Sequence, residues 1–166
     1  MTKEQLEKIK YPYLPEGRII LYVDINNPFM VEAKNICKNS GCAKQSTGAV
    51  IVKNGKIIGK GTNAGKLVTE CPRWGSPTGE NYGPCKDICK QEGHAEAMAV
   101  KDMMANQTDY EDADIYLYGH WWCCRDCWEA MIKGKIKNVY LLDKSFELFN
   151  PENNPDMLAW GKPKNV

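Results

Sequence analysis

Apolar and polar positions along this chain change period several times, and each change marks an element. After a proline-bounded lead-in, Ile19-Ile20-Leu21-Tyr22-Val23 is an unbroken apolar run that reads as a strand or a packing arm. Asn27 then caps a predicted helix with Pro28 at its first position, where a missing N–H costs nothing. Phe29, Met30, Ala33, Ile36 and Cys37 supply the apolar face of that helix. Two further apolar runs, Gly48 to Val52 and Lys56 to Gly61, flank Asn54-Gly55, a strong hairpin signal. From Ala64 to Gly93 the pattern is lost, in a stretch carrying five glycines, three prolines and three cysteines. A helix is predicted from His94 to about Asn106, with Ala97, Met98, Val100, Lys101 and Met104 spaced for one buried face. Ile115 to Tyr118 reads as a strand, Cys124 to Lys133 as a helix stopped by Gly134, and Lys137 to Leu142 as a strand. The tail from Phe149 onward, with its Asn-Pro pairs, reads as irregular. Such alternation predicts an α/β sheet with helices on its faces.

Composition narrows the class. At 166 residues the chain is expected to be a single domain, comprising an N-terminal extension (1–26), a Cys-rich insert (64–93) and a C-terminal tail (149–166). The net charge of +1, without a basic block, argues against strong phosphate-backbone binding. No stretch approaches the ~18 consecutive apolar residues of a membrane span. The charged start, Met1 to Lys10, is not a secretory signal, so a cytoplasmic location is expected. Eight cysteines are many for that compartment, where metal binding or buried thiols are the better default than disulfides.

The chemistry concentrates in His94-Ala95-Glu96 and, thirty residues after its histidine, Cys124-Arg125-Asp126-Cys127. One imidazole and two thiolates match the N and S ligands of a catalytic zinc, which keeps a fourth position for water and lowers that water's pKa to near ~7. A Cys-x-x-Cys pair at a helix start puts two sulfurs within reach of one ion, and the helix N-terminus favours thiolate. Glu96 lies too close to His94 to be a fourth ligand but is well placed to handle protons.

His-x-Glu followed by Cys-x-x-Cys resembles the signature of the zinc-dependent cytidine/deoxycytidylate deaminase superfamily, and more narrowly its dCMP deaminase branch, over roughly Pro28 to Leu142. The resemblance implies a three-layer α/β/α fold with a central mixed sheet of about five strands. It implies a zinc cofactor held by His94, Cys124 and Cys127, Glu96 as acid/base, and a small-molecule nucleotide substrate, dCMP deaminated to dUMP. A homo-oligomer is expected, with neither membrane nor nucleic acid as partner. Four more residues become substrate-binding candidates, each with a plainer alternative. Asn63 stands in place of an asparagine that contacts the sugar, or it caps a loop. Lys44 offers charge to a phosphate, or is a surface lysine. His120, at a position usually threonine and followed by Trp121 and Trp122, lines a base pocket or ends a strand above core tryptophans. Tyr140 approaches the base or sits in the core. Cys71, Cys85 and Cys89 correspond to a cysteine-bearing insert. They either hold a second, structural zinc, with Cys37, Cys42 or Cys123 as fourth ligand, or pack the insert as reduced thiols.

Three positions depart from the branch. Cys123 replaces the proline before the first ligand cysteine, either as a buried thiol or as a competing ligand. Gln91 stands where arginine is frequent, and Met98 where asparagine is usual. Two rival functions therefore stay open: deamination of a base in RNA or single-stranded DNA, and a zinc-stabilised interaction domain without turnover.

Overall fold

The computed structural model describes residues 13–63, 65–73, 75–76 and 81–150. Its elements are β1 (Ile20–Val23), α1 (Pro28–Cys37), β2 (Gly48–Lys53), β3 (Lys56–Thr62), α2 (Gly83–Asp87), α3 (Ala95–Asn106), β4 (Asp114–Tyr118), α4 (Arg125–Lys133), β5 (Asn138–Leu142) and α5 (Ser145–Phe149). The strands form one mixed sheet in the order β1-β5-β4-β2-β3. β1, β5 and β4 run parallel, and β2 is antiparallel to both β4 and β3. The apolar run at residues 19–23 is thus an edge strand. Of the tail expected to be irregular, only Phe149 and Asn150 lie within the described residues, and α5 ends there.

Strand alternation sorts the core into two layers. Ala49, Ile51, Ile115, Leu117, Val139 and Leu141 face α3 and α4. Val50, Val52, Tyr116 and Leu142 face α1, with Met30 and Ala33 against them. This is the three-layer α/β/α arrangement expected. Asn27 caps α1 as its sequence predicts, its Oδ1 accepting from Phe29 N (3.0 Å) and Met30 N (3.2 Å). At the β2–β3 turn Asn54 and Gly55 both take positive φ (50° and 74°), the left-handed pair that a two-residue hairpin requires.

One expected face was misplaced. On α3 the buried residues are Ala95, Glu96, Ala99, Val100 and Met103, whereas Lys101 is exposed and Met104 largely so. Small side chains win because α3 crosses β3 where Gly59 and Gly61 leave no side chain. A Cβ on Gly61 would lie 2.3 Å from both Ala95 O and Ala99 N. The bulkier Met98 is left outside that contact.

The register Thr62–Gly48–Tyr118 shows that β3 and β4 end on the same side of the sheet. The chain leaves that side into the segments that begin α3 and α4. Two helix N-termini therefore converge there.

Candidate active site

His94 and Cys124 occupy equivalent positions, each an extended N-cap residue (ψ 166° and 168°) opening its helix. Their side chains meet. His94 Nδ1 lies 3.3 Å from Cys124 Sγ and 3.4 Å from Cys127 Sγ, and the two sulfurs are 3.2 Å apart. Zinc bonds of ~2.0 Å to nitrogen and ~2.3 Å to sulfur put tetrahedral ligands roughly 3.6–3.8 Å apart. A few tenths of an ångström of opening would admit the ion, so the donor set and spacing fit zinc. Among the described residues this is the one group of three or more His, Cys, Asp or Glu with ligand atoms within 4.8 Å of one another.

Charge follows from the same contacts. The Cys124 thiol is held down to about 4, chiefly by the hydrogen bond from the Cys127 thiol and then by His94. Its sulfur also accepts from Cys127 N at 3.4 Å, in the N-cap position. His94 is raised to about 8, first by its hydrogen bond with Cys124. Glu96 is 4% exposed on the first turn of α3, and burial raises its pKa while His94 opposes the rise. A carboxylate so raised sits closer to the range in which it can both take and return a proton. Cys123 is fully buried beside it, its thiol pushed well up by burial and by the negative charge of Glu96.

His94, Glu96, Cys124 and Cys127 line one cavity of about 840 Å³. Lys44, Asn63, Arg73, Tyr82, Gln91, His120 and Trp122 share its wall. The family described as the cytidine and deoxycytidylate deaminase zinc-binding region matches residues 24–143. The chain belongs to this deaminase family. Similar solved structures include dCMP deaminase from the cyanophage S-TIM5 in apo form (22% identity, 81% of this chain and 90% of that one, TM-score 0.49). Its complex with dCMP and dUMP aligns at 21% identity over the same shares, with a TM-score of 0.47. A guanine deaminase from Bacillus subtilis aligns at 21% identity over 74% of this chain and 68% of that one, with a TM-score of 0.46. No curated protein matches the chain.

Within this deaminase scaffold the four substrate-binding candidates separate. Asn63 is on the cavity wall and also pins it: its Oδ1 accepts from Ser40 Oγ (2.6 Å) and Thr47 N (3.1 Å), and its Nδ2 donates to Gln45 O (2.7 Å). Lys44 is on the wall too, its Nζ donating to Ser76 O at 2.8 Å. Its pKa is lowered by burial and then by Arg73. His120 lines the cavity, while Trp121 and Trp122 pack into the core on the α1 side of the sheet, Trp122 reaching the wall as well. Tyr140 is not brought to the site. It lies on the α1 face of β5, its ring stacked on Tyr116 (4.6 Å, 8°), because even-numbered residues of β5 point away from α3 and α4.

Of the cysteines expected around a second zinc, Cys71, Cys85 and Cys89 come near Cys42: the Cys85 thiol is raised first by burial and also by Cys42, Cys89 and Cys71, and the Cys89 thiol first by burial and then by Cys42 and Cys71. Their ligand atoms do not all lie within 4.8 Å of one another. Cys37 ends α1 and Cys123 is buried with α3 and α4, each held away by its own layer. All eight cysteines are free thiols. The insert also contributes residues that the sequence left unmarked. Arg73 is buried on the cavity wall, its Nε donating to Asn81 O (3.1 Å) and its guanidinium 4.2 Å above the Tyr82 ring. Tyr82 in turn lies 6.1 Å from the His94 ring. No spacing rule flags an arginine in a glycine- and proline-rich loop; only the fold of that loop puts it beside Lys44.

Proposed function

We propose that the protein hydrolytically deaminates a cytosine nucleotide, dCMP to dUMP with release of ammonia. The observation that carries this reading is the shared cavity: His94, Glu96, Cys124 and Cys127 on one part of its wall, the cations Lys44 and Arg73 on another. Gln91 lines the same cavity without charge, whereas Lys44, Arg73, Lys86 and Arg125 bring cations to it; of these Arg73 and Lys44 lie near each other, which suits a 5′-phosphate, and arginine does so with a planar fork of donors. Zinc held by His94, Cys124 and Cys127 would lower the pKa of the attacking water toward ~7. Glu96 takes a proton from that water and delivers it to N3 of the ring. The water oxygen bonds to C4, and Glu96 then moves the second proton of that water from the C4 hydroxyl to the amine, which leaves as ammonia as the C4 carbonyl forms. Buried against the helix N-terminus, Glu96 needs to move each proton only a short way. Among the described residues no helix is long and apolar enough to cross a membrane, and we place the reaction in the cytoplasm.

The test is ammonia release by the zinc-loaded protein from dCMP, deoxycytidine and a cytosine-containing single-stranded oligonucleotide. Turnover of dCMP well above the other two is expected. Glu96→Gln should keep zinc and lose about 10²–10⁴ in rate. Lys44→Met and Arg73→Met should raise KM for dCMP far more than for deoxycytidine. Silence on all three substrates with zinc bound, or a better rate on the oligonucleotide, would overturn the reading.

A further inference from the structure

His120 takes no part in the reaction above, yet its ring is held more firmly than a wall residue needs. Its plane lies flat on Trp121 (4.4 Å, 3°) and meets Trp122 edge-on (5.7 Å, 61°). Trp122 N donates to its Nδ1 at 3.3 Å. An imidazole that accepts at Nδ1 carries its proton on Nε2. The backbone leading into it is equally constrained. Gly119 takes φ +96°, and a Cβ there would come within 2.3 Å of Ser46 O. Nε2–H is thus left outside these contacts, and His120 lines the cavity that also holds His94 and Glu96. Among the described residues no acceptor meets that donor. Burial and the neighbouring His94 push its pKa down to about 3, so it is a neutral donor at working pH.

We infer that His120 is a specificity-determining residue whose Nε2–H donates to the C2 carbonyl oxygen of the substrate base. The inference rests on the cytosine reading above. Two acceptors lie on the reacting edge of cytosine, N3 and the C2 oxygen. Glu96 serves N3, which leaves the oxygen to a second group. A fixed, uncharged donor suits a neutral carbonyl, and it is left unpaired when the ring carries hydrogen at C2. The cavity then selects 2-oxo-4-aminopyrimidines over amino-substituted rings without that oxygen, because an orphaned buried donor is costly.

The experiment measures kcat/KM for dCMP and for the matching 2-thiocytosine deoxynucleotide, a neutral analogue whose sulfur accepts hydrogen bonds far more weakly than the 2-oxo group. His120→Phe keeps a flat ring for Trp121 and removes the donor; His120→Gln keeps a donor. Wild type should prefer dCMP strongly. The Phe variant should lose about 10–100-fold on dCMP and less than twofold on the analogue, with zinc content unchanged. The Gln variant should keep most of the preference. Equal loss on both substrates, or no loss on either, overturns the inference, as does a wild type that handles the analogue as well as dCMP, a result that needs no variant to fold. A wild type inert on dCMP would instead remove the substrate reading, and this inference with it.

Discussion

Replacing Gly61 by alanine tests whether the α3–β3 contact sets the site. The added methyl would meet Ala95 O and Ala99 N at 2.3 Å and Met98 C at 2.8 Å. All three are backbone atoms of α3, so no flexible side chain can give way, and the helix must retreat by roughly 1 Å to restore ordinary contact. Its N-terminus carries His94 and Glu96, while Cys124 and Cys127 sit on α4. An ångström of retreat would carry Nδ1 from 3.3–3.4 Å to beyond the ~3.6 Å that zinc ligands tolerate. Overpacking should cost about 1–3 kcal/mol, a fall of roughly 2–12 °C in Tm for a chain this size. Misplacement of ~1 Å at a reacting centre is worth about 10²-fold in rate, or ~2.7 kcal/mol. The assay is dCMP deamination beside zinc per chain and a thermal melt. Gly83→Ala is the control, since nothing lies within 4 Å of a Cβ there. Wild-type zinc content, Tm and turnover in Gly61→Ala would refute the claim that this contact sets the position of α3.

Three further outcomes are expected. Asn63→Ala should destabilise the protein by at least ~2 kcal/mol in urea unfolding, because Ser40 Oγ, Thr47 N and Gln45 O lose their shared partner; an unchanged midpoint would mean the loop holds itself. Chelating the metal should lower Tm, since zinc ties two helix N-termini together, and a free zinc level of ~1,000 times Kd corresponds to about 4.1 kcal/mol; Cys124→Ala should remove that chelator response. Metal-free protein should lose stability as pH falls from ~6.5 towards 3, because the unfolded chain protonates His120 while the folded chain, with its pKa at about 3, does not. The His120→Gln variant should lose less over that range, and superimposable stability–pH curves would contradict the buried neutral state.

Neither α2 nor α5 was legible in the sequence, whereas the grouping of His94, Cys124 and Cys127, the place of Glu96 beside them, and the five strands with the three longer helices were. Those features are local: a ligand pair three apart on a helix start, a capping asparagine, Asn-Gly at a turn and apolar runs of strand length each carry their own geometry. The α1 face also followed from spacing, since Met30, Ala33 and Cys37 are buried as the pattern required. The α3 face did not, because close approach to Gly59 and Gly61 selected alanines over methionines, and a helix pattern contains no information about its partner's glycines. Parity decided Tyr140 in the same way: whichever layer Val139 enters, its neighbour enters the other. What the long insert does was hidden for a different reason. Loops lack periodicity, so Arg73 beside Lys44, and Cys71, Cys85 and Cys89 near Cys42, depend on contacts between segments distant in sequence. Local chemistry along the chain determined the His94, Cys124 and Cys127 group and the elements that carry it; only tertiary packing decided which side chains share its cavity.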